Sequence, residues 1–197
     1  EAAAVGDHDP YLGAIIAFDA KILPEAKDYA KNAHIFTSDV IYDAMESYVQ
    51  WATKTKEDAE RSALATITPP AKFRALPNHF FRRNDPAVFG VEIIAGKLRP
   101  KARIMDAQGK ELGVVEQIQD QGKSVSEAKA GTQVAVSVKG PTLGRQIREN
   151  DIIYTFPRSH ETKLLRGKYV ASLGEDELAT LKEISSILSV VDPLYGF

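Results

Sequence analysis

The chain has 197 residues, 44% of them hydrophobic and 8% aromatic, which suits one large or two small domains with a packed core. Its 25 Lys and Arg stand against 27 Asp and Glu, a net charge of −2, so nucleic-acid contact has to come from a local basic patch. The sequence has no Cys, which excludes a disulfide framework, a zinc ribbon and thiol catalysis. It shows no run of 18 apolar residues and no signal peptide, so a cytoplasmic, non-membrane protein is expected. It begins at Glu1, in what reads as a helix end, "EAAAVG", so it reads as a piece of something longer.

Residues 11 to 65 alternate like an α/β unit. The apolar run "AIIAF" (Ala14 to Phe18) predicts a buried strand. Pro24 opens a helix through roughly Asn32, with Glu25 in the first turn where the helix dipole favours an anion. "HIF" (His34 to Phe36) predicts a second strand. Thr37-Ser38-Asp39 then supplies capping chemistry for a long helix from about Val40. Ile41, Met45, Tyr48 and Trp51 fall on one face of it, and after Ala52 the stripe fades into "TKTKEDAERSA". A helix that is polar all round in its second half is expected to cross solvent between domains.

Pro69-Pro70 ends that helix, and the pattern changes to period two. Strands are predicted at Lys72 to Ala75, Val88 to Ile94, Ala102 to Met105, Leu112 to Gln119, Thr132 to Val138 and Asp151 to Thr155. "DAQGKE" joins two of them as a hairpin, with Gly109 suited to positive φ. Six short strands without an intervening long helix favour a small closed antiparallel β-barrel. The last 39 residues return to helix, first "SHETKLLRG" and then "EDELATLKEISSILSVV". The second has three acids in its first turn and an apolar stripe of Leu178, Leu181, Ile184, Leu188 and Val191. The fold class is therefore α+β.

The dipeptide Gly109-Lys110 does not end a phosphate-binding loop, because Glu111 stands where a hydroxyl should and Leu112 starts a strand, not a helix. Lys97, Arg99, Lys101 and Arg103 recur at every second position, which in an extended chain makes one basic stripe unless Pro100 kinks it. Arg82 and Arg83 add charge nearby. These six cations are either a solvated barrel face or contacts to an RNA backbone. His79-Phe80-Phe81-Arg82-Arg83 interleaves aromatics with cations, which suits base stacking, although two such Phe also suit a barrel core. Asp7-His8-Asp9 reads as a solvated loop rather than a ligand cluster. The four His residues show no metal-binding spacing, and Ser124 and Ser126 lack a nucleophile elbow. No catalytic residue is expected.

"FGVEIIAGKLRPKARIMDAQGKELGVVEQIQDQGKSVSEAKAGTQVAVSVKG" followed by "GRQIRENDIIYTF" resembles a barrel of the translational GTPases, whose pattern A-x-x-G-x-x-V-x-[apolar] it carries. "IAFDAKILPEAK", "IFTSDVIYDAMESYVQW", "RRNDPAVFGVEI" and the ending "VDPLYGF" are similar to the initiation factor 5B family, on its archaeal branch. The resemblance implies that residues 1–38 are the latter part of the family's third domain and 39–66 its linker helix. It makes 67–158 the barrel of its fourth domain and 159–197 a helical extension. It implies no catalysis and no cofactor in this piece, GTP and magnesium belonging to a GTPase domain elsewhere in the factor. The partners it implies for a monomer are the methionylated CCA end of initiator tRNA, the ribosomal subunits and initiation factor 1A.

Carried over by position, the family's aminoacyl-end pocket falls at Gly90, Val91, Gln119, Asp120, Gln121, Gln133 and Ala135. The bacterial loop there has cationic and aromatic residues where this chain has Gln, Asp and Gln. Archaea leave the initiator's α-amino group free, so Asp120 is its candidate partner, against a turn-forming surface Asp. Leu178, Leu181, Ile184 and Leu188 are either barrel core or a groove for a protein partner. The second functional reading is accordingly a structural lever and docking segment with no tRNA contact.

Overall fold

The computed structural model describes residue 9, residues 11–30 and residues 33–196. Asp7 and His8, and Lys31 and Asn32 at the expected end of the first helix, lie outside the described residues. The chain divides into two units between Ala63 and Leu64.

In the first unit, strands β1 (Ala14–Phe18) and β2 (His34–Ser38) pair in parallel, Ala14 opposite His34 and Phe18 opposite Ser38. Helix α1 (Pro24–Tyr29) lies between them in sequence, with Pro24 at its start. Helix α2 (Ile41–Thr66) follows β2, and the Ser38 hydroxyl accepts the Val40 N–H at 3.0 Å, as its capping residue type demands. The buried face of α2 is Ala44, Tyr48 and Trp51, not the expected Ile41, Met45, Tyr48 and Trp51; Ile41 and Met45 are exposed. Phe36 of β2 meets Tyr48 and Trp51 edge-on at 5.9 and 5.6 Å, and the small Ala44 lies on that same face. Met45 is turned about 100° away from Ala44 on the helix wheel. Beyond Ala52 the helix is mostly exposed.

The second unit is a closed six-stranded antiparallel barrel. Its strands are β3 (Ala71–Arg82), β4 (Ala87–Leu98), β5 (Arg103–Asp106), β6 (Glu111–Asp120), β9 (Gln133–Lys139) and β10 (Ile152–Thr155). Each pairs with two neighbours in the circular order β3-β10-β5-β6-β9-β4, and the β3–β4 pairing closes the ring. Closure removes the exposed sheet edges. Two strands of two residues, β7 (Lys123–Ser124) and β8 (Ala128–Lys129), were not predicted. Alternating side chains fill the barrel, among them Phe73, Phe89, Val91, Ile93, Ile104, Val115, Ile118, Val136 and Ile153. Gly96 requires its glycine, because at φ 76° an added Cβ would sit 2.0 Å from the Pro70 carbonyl oxygen.

The C-terminal residues form α3 (Ser159–Arg166), a short 3₁₀ turn (Val170–Ser172) and α4 (Glu175–Val191). Ile184 and Leu188 of α4 pack with Met105, Tyr154 and Tyr195 in a second core, and Leu181 is 2% exposed. The stripe is therefore barrel packing. Val191 and Leu164 are instead exposed, and Leu178 is half-buried. The acids at the start of α4 do more than oppose the helix dipole. Asp176 accepts the Gly96 N–H at 2.8 Å, which holds its carboxyl below the usual range. Glu177 caps the Gly174 N–H at 2.9 Å and meets the Lys97 ammonium at 3.3 Å. At the start of α3, Glu161 accepts the Arg158 N–H at 2.6 Å and the Thr68 N–H at 3.2 Å.

Candidate functional site

Register decides which residues of β4, β9 and β6 meet on the outer wall of the barrel. Gly90 is opposite Ala135, and Ala135 is opposite Gln119. Val91, Val134 and Ile118, one step along, turn into the core. Gly and Ala in the middle of this row keep the surface low there.

The walls rise on both sides. Ala75 of β3 pairs with Val91 and Phe80 with Phe89, so Leu76 to His79 stand against the single residue Gly90. This bulge folds His79 over the glycine: a Cβ at Gly90 would lie 2.8 Å from the His79 Cβ. Asn78 adopts φ 58° and gives its N–H to Glu149 at 2.9 Å. His79 Nδ1 lies 2.7 Å from the Pro77 carbonyl oxygen, to which only a protonated Nδ1 can donate. Phe81, 64% exposed, meets the His79 ring edge-on at 6.3 Å. On the other side the β6–β7 turn carries Asp120, Gln121 and Gly122, the last two at positive φ.

Together these walls enclose a cleft of about 450 Å³. Six of the seven predicted pocket residues line it: Gly90, Gln119, Asp120, Gln121, Gln133 and Ala135. Val91 does not, because it follows Gly90 on a strand and is fully buried in the core. The prediction missed Leu76, His79, Phe81, Gly122 and Val134. Pro77-Asn78 inside an otherwise strand-like stretch was the available signal for the bulge. Of the two adjacent Phe, Phe80 packs on the core, edge-on to Phe89 at 6.0 Å, and Phe81 faces outward. The cleft combines apolar and aromatic surface, three side-chain amides and one carboxylate. A second depression of about 310 Å³ shares Gln119 and Ala135 and extends to Val88, Gln117 and Ser137. Among the described residues no cluster of His, Asp and Glu is arranged to hold a metal ion.

The predicted basic stripe is not realised as one extended face. The chain leaves β4 at Leu98 and turns at Pro100-Lys101, with Lys101 at φ 68°, before β5 starts. Three of the four cations are occupied. Lys97 meets Glu177, Arg99 meets Glu127 at 2.7 Å, and Arg103 meets Glu111 at 2.6 Å while lying over the Phe156 ring. Lys101, Arg82 and Arg83 are exposed and have no ion pair among the described residues.

Comparison with known proteins places this barrel. Residues 69–154 match the family model described as elongation factor Tu domain 4. A protein of Ignicoccus hospitalis called a probable translation initiation factor IF-2 is 42% identical over 199 residues, covering 100% of this chain and 33% of the relative. Its namesake in Aeropyrum pernix is 44% identical over 191 residues, covering 95% of this chain and 31% of that protein. A crystal structure of GDP-bound aIF5B from Aeropyrum pernix superposes with a TM-score of 0.69 at 40% identity, over 98% of this chain and 33% of that one. The chain matches a C-terminal portion of a 5B/IF-2 translation initiation factor. It spans about a third of the length of these relatives. Residues 69–154 include every strand of the closed barrel except the last residue of β10, so the cleft lies within the family-matched region.

Proposed function

We propose that this chain serves translation initiation as the module that holds the methionylated CCA end of initiator tRNA, in a factor that helps ribosomal subunits join. The observation that carries the proposal is the assembly of Gly90, Gln119, Asp120, Gln121, Gln133 and Ala135, spread over three elements, into one cleft. Its chemistry suits that ligand. Leu76 and the exposed Phe81 offer apolar surface to a methionine side chain, and His79 and Phe81 offer ring faces to the terminal base. Asp120 offers a carboxylate to a free α-amino group. Arg82, Arg83 and Lys101, without an ion pair among the described residues, are the predicted cations left for the RNA backbone. Hydrolysis of GTP, with its magnesium, is assigned to other parts of the longer factor, and the site of action to the cytoplasm.

The test is protection of the aminoacyl ester. The chain should slow spontaneous deacylation of methionylated initiator tRNA, and Asp120→Asn should weaken protection of the free-amine form while leaving N-acetylmethionyl-tRNA as before. Absence of protection by the wild-type chain would remove the tRNA reading and leave the lever and docking role. That second role loses one of its supports, because Leu181, Ile184 and Leu188 are packed against the barrel and present no open groove for a partner such as initiation factor 1A.

A further inference from the structure

A basic surface lies on the side of the barrel away from the cleft. Residues 158–174 hold four Lys and Arg and a single acid, in a chain whose net charge is −2. That acid, Glu161, is 8% exposed and is held beneath α3 by the N–H groups of Arg158 and Thr68. Glu161, Thr162 and Leu165 are buried, while His160, Lys163 and Arg166 are exposed. A spacing of three residues sets these last three along one strip of the helix. Lys168 follows just beyond it, with its Nζ over the Tyr169 ring at 5.5 Å. Arg158, Lys163, Arg166 and Lys168 are all exposed, and none has an ion pair among the described residues. The helix dipole favours Lys163 and Arg166 in the last turn, but not Lys168 past it or Arg158 at its start.

Hydrogen bonds fix which flank of the barrel carries this helix. The Phe156 N–H reaches the Arg103 carbonyl, on β5, at 2.7 Å. The Tyr195 hydroxyl donates to the Pro157 carbonyl at 2.6 Å and accepts from the Thr162 hydroxyl at 2.7 Å. Tyr195 itself packs with Met105 of β5 and Tyr154 of β10. In the circular order β3-β10-β5-β6-β9-β4, the pair β10 and β5 stands three places from β9 and β4, which is across the barrel. The cleft floor, Gly90 and Ala135, is on β4 and β9, so a ligand in the cleft leaves α3 uncovered.

We infer that the exposed face of α3 binds the phosphate backbone of double-helical RNA through Lys163, Arg166 and Lys168, and that this duplex belongs to the ribosome and not to the tRNA. The ribosomal source rests on the proposed role in initiation; the duplex binding does not. Unpaired cations without a neighbouring free acid select a polyanion. Tyr169 is 6% exposed, so the segment opens no Phe, Tyr or Trp ring on which single-stranded bases could stack. A duplex needs none, because its bases are paired and its phosphates face outward. Position selects the source, since the proposed tRNA end is held on the opposite flank.

A short blunt-ended RNA duplex is the probe, read by fluorescence anisotropy across a salt series. Each phosphate contact adds about 0.9 to the slope of log affinity against log salt, so three contacts change affinity about 40-fold between about 50 and 200 mM salt. Lys163→Ala, Arg166→Ala and Lys168→Ala together should therefore remove about 2.7 from the slope. The charge-keeping set Lys163→Arg, Arg166→Lys and Lys168→Arg should retain it. Lys123→Ala, Lys129→Ala and Lys139→Ala together change the net charge equally and should match the wild type. A single strand of the same length and a glutamate-rich peptide should both bind more weakly than the duplex. A photocrosslinker at the exposed Leu164 of the full-length factor on ribosomes should reach base-paired ribosomal RNA. Equal slopes for the wild type and the α3 alanine variant, or preference for the single strand or the peptide, would overturn the duplex reading. Crosslinks confined to tRNA or to ribosomal proteins would overturn the ribosomal source. The α3 alanine variant should keep ester protection by the cleft, so this inference and the tRNA-end reading can each fail alone.

Discussion

Leu181→Ala separates a buried brace from a docking surface. Leu181 is 2% exposed on α4, one turn before Ile184, which packs on Met105 and Tyr154 of the barrel. Truncating a fully buried Leu loses its transfer free energy and leaves a cavity, together about 2–5 kcal/mol. The unit that carries it runs from Leu64 to Phe197, a size at which each kcal/mol moves the melting midpoint by about 3 °C. The midpoint should therefore fall by about 6–15 °C. Differential scanning calorimetry of the chain reads this directly, and the half-buried Leu178→Ala should move it less. Below the new midpoint, protection of methionyl-tRNA should survive, because the cleft is on β3, β4, β6, β9 and the β6–β7 turn and contains no α4 residue. A midpoint for Leu181→Ala within about 2 °C of wild type, a shift worth under about 1 kcal/mol, would refute the packing argument.

Gly90→Val should abolish ester protection, since its side chain would enter the cleft floor and drive into the His79 Cβ, 2.8 Å from even a first carbon; unaltered protection would show that the ligand lies elsewhere. Lys72, Tyr154 and Glu183 form a pH-dependent link between α4 and the barrel, both donors reaching one Glu183 oxygen at 2.8 Å. The Lys72 hydrogen bond holds the Glu183 carboxyl below 4.5, and the same bond raises Lys72 above 10.5. The lowered carboxylate contributes stability above about pH 4.5 that is lost as pH falls through its folded value, and the raised ammonium contributes stability below about pH 10.5 that is lost as pH rises through its own. Melting midpoints measured across pH should show both flanks, and Glu183→Gln should flatten the acid one. Inserting Gly-Gly after Lys56 should cost α2 about 2 kcal/mol of helix propensity. In the full-length factor, subunit joining should then suffer while ester protection by the barrel persists; equal loss of both would show that the helix serves the barrel's own fold.

Local sequence determined the elements themselves. Period-two patterning with turn residues located the six barrel strands to within a residue or two at most ends; β4 runs four residues past the expected Ile94, to Leu98, and β3 was the larger exception. Its pattern is interrupted by Pro77-Asn78, so the reading stopped at Ala75, whereas the strand resumes beyond a bulge and runs to Arg82. The acid-rich start of α4 was legible as a dipole effect, but nothing local shows that Asp176 reaches Gly96 and Glu177 reaches Lys97, 80 residues away. For the same reason the alternation of Lys97, Arg99, Lys101 and Arg103 suggested a free cationic stripe: charge spacing along a chain says nothing of the carboxylates that folding brings opposite.

The cleft divides in the same way. Its amides and acid were reachable by position through a family resemblance, but Val91 was assigned to the wrong side of its strand. Leu76, His79 and Phe81 were not assigned to it at all. A side chain's face depends on register, and register here is set by the partner strands and by a four-residue bulge facing one glycine. Residue types and their periodicity thus determined that there would be strands, turns, a long helix with a polar second half and an amphipathic last helix. Only closure of the ring decided which cations stay unpaired, which apolar residues become core, and that residues from β3, β4, β6 and β9 share one groove. Those outcomes depend on contacts between residues far apart in sequence, whose pairing no local pattern encodes.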